Sequence, residues 1–357
     1  MKKALALLLS IVMLAGVLLC GCAKDVPGSN PAPKTDETSP APDDPSGNDT
    51  DTNDPSGNGT DTDEPSGGDA APDDPAEDAP RHDPYEAENV YEIDAEIFSR
   101  QDGVDYGTIV PDLTYPSTVA GDDKRCSVLL PAGYDESRTY PVMYVVHGYG
   151  SWYGELINER SYLVALYGNM LARGLAAPMI IVSIDMYTDP AADKNHKTGA
   201  ELKESYNKVI EEIRTDLMPF IENSFPVSTA REDTAIAGIS EGAGKTLCIG
   251  FTWPEEFGWI GAFSPNAGVI PTEFDIGTIW NDPVMQEFPQ LTEDETPCYL
   301  YLAVGSEDDG SKDPTLYYRD VLNEMGIRNQ TDLVEGYGHN VLFWRLCFYN
   351  FFTKAFR

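Results

Sequence analysis

Residues 238–242 read Gly-Ile-Ser-Glu-Gly, a G-x-S-x-G pentapeptide between the apolar run Thr234–Ile239 and a helix-like stretch. A strand that enters a helix through a sharp turn lifts a serine hydroxyl clear of the sheet, where it can attack a carbonyl carbon. The flanking glycines suit such a turn, because side chains at Gly238 and Gly242 would collide with the neighbouring strand and helix. A hydroxyl is a poor nucleophile until a base takes its proton, and that base needs an orienting carboxylate. Ser240 therefore poses a question that the remaining sequence must answer.

The chain has four histidines, His82, His147, His196 and His339. Hydrolases built on this turn place their partners in the chain order serine, acid, histidine. His339 alone follows Ser240, in the glycine-rich turn Gly336-Tyr337-Gly338-His339, and is the candidate base. His147 ends the apolar segment Val145-Val146 and reads as a structural turn residue. The acid is expected at the end of the buried-looking strand Cys298–Val304, within Glu307-Asp308-Asp309. Asp308 is the first candidate, Asp309 the second and Glu307 the third. Asp313, directly before Pro314, is the better candidate to cap the helix that follows.

A developing oxyanion needs backbone donors, one after the nucleophile and one from an earlier strand–helix loop. These are the N–H groups of Glu241 and of Tyr149, the latter in His147-Gly148-Tyr149-Gly150-Ser151-Trp152. Trp152 and Tyr153 share that loop and are candidate substrate contacts, since sugar and phenolic rings stack on aromatic faces. Glu241 stands four residues before Lys245, the favourable orientation for an ion pair on a solvated helix face. Gly244-Lys245-Thr246 ends like a phosphate-binding loop, but that motif needs glycine at position 239, which is Ile239, so a nucleotide site is rejected. No cofactor and no metal are expected, because no cysteine pair or histidine cluster has ligand spacing.

The stretch Arg231–Asn266 resembles the esterase D-like esterases and, more closely, carbohydrate esterase family 1, the feruloyl and acetyl-xylan esterases. Leu130-Pro131-Ala132-Gly133-Tyr134-Asp135, Tyr140-Pro141-Val142 leading to His147-Gly148, and Gly338-His339 followed by Trp344-Arg345 extend the likeness from about Gly107 to the C-terminus. The resemblance implies an α/β-hydrolase fold with Ser240 as nucleophile, Asp308 as acid and His339 as base. It also implies an esterase acting on ester-substituted polysaccharide or oligosaccharide through an acyl-enzyme. The chain departs from many relatives in carrying Glu241 where they have methionine or another uncharged residue. A non-catalytic carbohydrate-binding protein, or an esterase or acyltransferase for a different ester, is the alternative.

The elements that must position these residues alternate. Strands are expected at Cys126–Leu130, Val142–Val146, Met179–Asp185, Thr234–Ile239, Trp259–Phe263, Cys298–Val304 and Asp332–Glu335, with helices at Gly154–Arg173, Glu201–Asn223, Ser240–Thr252, Pro314–Met325 and Val341–Lys354. Near-continuous apolar strands between helices predict a mostly parallel sheet covered on both faces. Cys126, Cys248, Cys298 and Cys347 read as small apolar residues of this unit.

Ahead of residue 85 the composition changes. Lys2 and Lys3 precede the apolar run Ala4–Leu19 and then Leu19-Cys20-Gly21-Cys22, which resembles a bacterial lipoprotein signal. This implies a signal peptide over 1–21, lipidation of Cys22, and an extracytoplasmic protein held at the cell surface through its lipid anchor. Residues 22–84 read as a disordered tether, with Asp-Pro-Ser-Gly and Glu-Pro-Ser-Gly recurring every ten residues; 17 acidic against 3 basic residues over 23–84 extend it by like-charge repulsion. Residues 85–357 then form one esterase domain with 43 acidic and 19 basic residues. Such a surface argues against nucleic acid or an anionic polymer as a partner and accommodates a neutral polysaccharide.

Overall fold

The computed structural model describes residues 82–189, 199–274 and 282–357. The signal peptide, Cys22, nearly all of the tether and His196 lie outside the described residues. Eight strands form one sheet in the order β1-β2-β4-β3-β5-β6-β7-β8. They are β1 (Thr108–Ser117), β2 (Asp122–Leu130), β3 (Val142–Val146), β4 (Ile180–Ile184), β5 (Thr234–Ile239), β6 (Trp259–Phe263), β7 (Tyr299–Gly305) and β8 (Gln330–Val334). β1 and β2 pair antiparallel and β2 meets β4 antiparallel; every other neighbour pair is parallel. The expected mostly parallel sheet is therefore present. The five central strands β3 to β7 are buried along their whole length, as strands covered on both faces must be.

One face carries α2 (Gly199–Glu212), α3 (Met218–Ser224), α4 (Glu241–Thr252) and α5 (Lys312–Glu324), and the other carries α1 (Tyr162–Ala172) and α6 (Val341–Phe352). Alternate strand residues feed two apolar layers: Tyr144, Ile236 and Leu300 belong to the first, and Val145, Ala237 and Tyr301 to the second.

Three expectations are corrected. The helix expected over Gly154–Arg173 begins only at Tyr162, because the Ser161 hydroxyl accepts the N–H of Leu163 as its cap and Asn158 Nδ2 ties back to the Gly154 carbonyl. The single helix expected over Glu201–Asn223 is three pieces. A π-helical turn at Ile213–Leu217 separates α2 from α3, and Pro219, which lacks an N–H, sits in the first turn of α3. The edge strand β1 was not expected at all. Pro111 and Pro116 interrupt its pattern, and a bulge between Val110 and Leu113 puts Asp112 at φ 54°.

A strap ahead of β1 belongs to the same unit. The Tyr85 hydroxyl donates to the Arg328 carbonyl and accepts the Leu300 N–H, Val90 N–H donates to Asn350, and Tyr91 bonds Tyr301 and Asp332. The four cysteines of the described residues are unpaired.

Candidate active site

The turn from β5 into α4 places Ser240 at φ 55°, ψ −123°, a conformation that side chains rarely adopt. Close packing enforces it: a Cβ at Gly238 would stand 2.5 Å from the Gly242 carbonyl oxygen, and one at Gly242 would stand 2.3 Å from that of His147. Only glycines allow strand, helix and the loop after β3 to meet there. The Ser240 N–H donates to the Phe263 carbonyl at 2.9 Å, which fixes the elbow to β6.

His339 arrives 99 residues later and sets its Nε2 2.8 Å from Ser240 Oγ. Its Nδ1 lies 2.8 Å from Asp308 Oδ2. A ring nitrogen facing a carboxylate carries the proton, so Nε2 is left to accept the Ser240 O–H. Asp308 is buried, and His339 is partly open to solvent. This arrangement can take the hydroxyl proton onto the imidazole and stabilise the resulting charge with the carboxylate.

Two loops are joined to make this happen. β7 ends at Gly305, where a Cβ would lie 2.0 Å from the Tyr337 carbonyl oxygen. That close approach lets Glu307 N–H donate to Tyr337 O at 2.9 Å and Gly336 N–H donate to Ser306 Oγ at 3.0 Å. The acid loop and the histidine turn are thus one hydrogen-bonded body. Of the other acid candidates, Asp309 is exposed with only a 3.9 Å approach to Lys312, and Glu307 also lines the cleft; neither bonds His339.

The loop after β3 meets the serine from the other side. A Cβ at Gly148 would lie 3.5 Å from Ser240 Cβ, so the main chain before Tyr149 passes close to the base of the serine side chain. Gly150 N–H donates to the Tyr206 hydroxyl at 3.1 Å, and burial pushes that phenol's pKa up, keeping it protonated. Glu241 opens α4, whose first N–H groups have no carbonyl within the helix. His147 is buried in the turn role expected of it: Nδ1 donates to the Gly148 carbonyl at 2.8 Å and Nε2 accepts the Met186 N–H at 3.2 Å.

The solvated ion pair expected at Glu241 is corrected. Glu241 is 3% exposed and Lys245 2%, with Oε1 and Nζ 2.9 Å apart, because α4 is buried along nearly its whole length against β5 and β6. Asn266 Nδ2 donates to the second carboxylate oxygen, so the charge beside the nucleophile is held by two partners.

The cleft over Ser240 has a volume of about 310 Å³ and is lined by Tyr149, Asn266, Asp309 and His339 among others. Trp152 and Tyr153 are not among its lining residues. Tyr153 is 9% exposed with its hydroxyl on Asp112, whereas Trp152 stands on the surface beyond the cleft. Sequence reasoning missed Asn266, Ser264 and Ser311. Ser264, at φ 56°, accepts a hydrogen bond from Trp344 Nε1 at 3.2 Å and gives its carbonyl to the Ser311 hydroxyl at 3.0 Å. Trp344 in turn sets its ring edge-on to the His339 imidazole at 5.1 Å. The position of Ser264 at the end of the apolar run Trp259–Phe263, one strand from the elbow, was the available signal.

Comparison with known proteins agrees with this architecture. A CE1 ferulic acid esterase from Anaeromyces mucronatus, solved in complex with ferulic acid, superposes with a TM-score of 0.66 at 29% identity, covering 76% of this chain and 98% of that one. A feruloyl esterase module from Clostridium thermocellum, at 16% identity and a TM-score of 0.56 over 76% of this chain and 95% of its own, shares the fold. The fold is that of the α/β-hydrolases. The endo-1,4-beta-xylanase/feruloyl esterase of Xylanibacter ruminicola is 26% identical over 264 residues, 71% of this chain, and the chain spans only 32% of that relative's length. The family model described as "Putative esterase" matches residues 117–342, well over half of the sequence, and the chain belongs to this esterase family.

Proposed function

We propose that this chain is a serine esterase that hydrolyses feruloyl esters, and acetyl esters less selectively, on neutral plant cell-wall polysaccharide. The observation that carries the reading is the alignment of Ser240 Oγ, His339 and Asp308 through two contacts of 2.8 Å. The likeness to a ferulic acid esterase over nearly all of that protein's length supports the acyl group.

In this mechanism Ser240 Oγ attacks the ester carbonyl carbon while its proton passes to His339 Nε2. Asp308 holds the imidazolium, and the Tyr149 and Glu241 N–H groups receive the oxyanion. Collapse breaks the bond to the sugar oxygen, which takes the proton from His339 and leaves as the alcohol. Water, deprotonated by the same imidazole, then attacks the acyl-enzyme and frees the acid and Ser240. No metal or cofactor enters these steps.

We also infer that the protein is exported and anchored through a lipidated Cys22, a reading that rests on Lys2, Lys3 and the run ending Leu19-Cys20-Gly21-Cys22. Incubation with methyl ferulate, acetylated xylan and an aryl acetate tests the catalytic reading. It expects the highest kcat/KM on the ferulate, and stoichiometric fluorophosphonate labelling at Ser240. Absence of both turnover and labelling would refute it.

A further inference from the structure

Trp152 is 45% exposed, yet its indole is held in a frame. Its six-membered ring lies against the backbone of Gly154, where an added Cβ would stand 2.2 Å from both Cη2 and Cζ3. The Tyr153 ring meets it edge-on, with centroids 5.2 Å apart and planes at 77°. Tyr153 is itself pinned, because its hydroxyl donates to Asp112 Oδ1 at 2.6 Å and the Arg125 side chain on β2 hydrogen-bonds the same tyrosine hydroxyl. Asp112 can offer that carboxylate because the bulge in β1 turns it to φ 54°. A strained edge-strand residue, a buried tyrosine and a glycine without a side chain thus combine to display one apolar face to solvent. Single exposed aromatic residues are common on protein surfaces. One whose rotamer is fixed from beneath has already lost the freedom that binding would otherwise remove.

The place of this face says what it would meet. Trp152 follows Tyr149 by three residues, so it lies within about 11 Å of a residue that lines the cleft over Ser240. Tyr149 lines the cleft and is 52% exposed, and Trp152 stands three residues further along the same loop. A chain whose ester is seated at Ser240 must leave the cleft across some part of its rim. The C–H face of a neutral sugar ring carries slight positive charge and complements the negative face of an indole. An anionic sugar would meet the acidic surface of the domain instead.

We propose that Trp152 is a sugar-stacking subsite for the main chain of the polysaccharide, outside the cleft that takes the acyl group, with Tyr153, Asp112 and Gly154 as its supports. The inference rests on the esterase reading for its substrate and assigns that reading a polymer-recognition residue.

The test compares kcat/KM for a feruloylated xylo-oligosaccharide with kcat/KM for methyl ferulate in the same preparations. The ratio is expected to fall at least fivefold in Trp152→Ala, to recover in part in Trp152→Phe, and to fall in Gly154→Ala, where the new methyl displaces the indole. A second arm uses the Ser240→Ala protein, in which unesterified xylohexaose should quench tryptophan fluorescence in a way that Trp152→Phe abolishes. Unchanged ratios in both Trp152 variants, together with quenching that survives Trp152→Phe, would overturn the subsite. If the wild-type protein turned over neither ester, the esterase reading would fall, and the fluorescence arm alone would decide the stacking.

Discussion

Asp308 serves Ser311 and His339 with different oxygens: Oδ1 accepts the Ser311 N–H at 3.1 Å, while Oδ2 faces the imidazole at 2.8 Å. The expectation had been that Asp313 would serve the start of α5 and leave Asp308 to the histidine alone. One carboxylate does both, which locks its plane and so aims the imidazole. Asp308→Asn preserves an acceptor for Ser311 but offers His339 an ambiguous partner that permits the wrong tautomer. A fall in kcat of about 10⁴ is expected with little change in melting temperature, by analogy with the effect of this substitution in serine proteases. Steady-state kinetics beside thermal unfolding would check it; an active Asp308→Asn would move the acid to Asp309.

Ser240→Ala should abolish ester hydrolysis and probe labelling while leaving the circular dichroism spectrum intact. The same position allows a test of strain. At φ 55° a Cβ is unfavourable, so Ser240→Gly should unfold at a higher temperature than Ser240→Ala, by about 1 kcal/mol in stability. Equal melting temperatures would show that the elbow stores no strain in the side chain.

Glu241 and Lys245 form an ion pair that is almost entirely out of water. Removing one member leaves the other charge buried and uncompensated, so Lys245→Met should cost about 3–5 kcal/mol. Replacing both, as Glu241→Met with Lys245→Met, should cost less than Lys245→Met alone. Urea unfolding of the three proteins provides the comparison, and a double variant weaker than the single one would contradict the account.

Stability should decline at alkaline pH. Burial pushes the Cys126 and Cys248 thiols from 9.0 up to about 12, and burial raises Tyr85 from 10.0 to about 12. Below pH 9 these groups hold their protons in both folded and unfolded chains. Between the ordinary and the raised values only the unfolded chain releases them, so each group favours unfolding by about 1.4 kcal/mol per pH unit across that window. The protection is fully present below pH 9 and is lost as pH rises towards 12. A melting temperature that stayed flat from pH 8 to pH 11 would disprove this.

How far the sequence could be read follows from how each signal arises. β3, β5 and β6 were expected with the bounds they have, because short apolar runs closed by polar or glycine residues leave little choice of ends. Ser240 and Asp308 were nameable for the same reason, each standing just past such a strand, and His339 because it is the one histidine that follows Ser240. β1 was invisible, since a bulged edge strand carrying two prolines keeps no alternation. The buried state of Glu241 was also hidden. Spacing identified its partner Lys245, but only the packing of α4 against β6 and the arrival of Asn266 decide whether the pair meets water. Trp152 and Tyr153 looked equivalent as neighbours in one loop; the bulge at Asp112, far away in sequence, separates their fates.

His339 is followed immediately by Asn340, whose side chain caps α6 by accepting the N–H groups of Leu342 at 3.0 Å and Phe343 at 3.3 Å. α6 then buries Phe343, Leu346, Phe348, Phe351 and Phe352 in one face of the core. Proton transfer therefore depends on whether the last helix is docked. Warming that begins to loosen α6 should silence turnover while the central strands are still intact, so the temperature of half-inactivation would fall below that of global melting, and brief heating would leave a folded but idle protein.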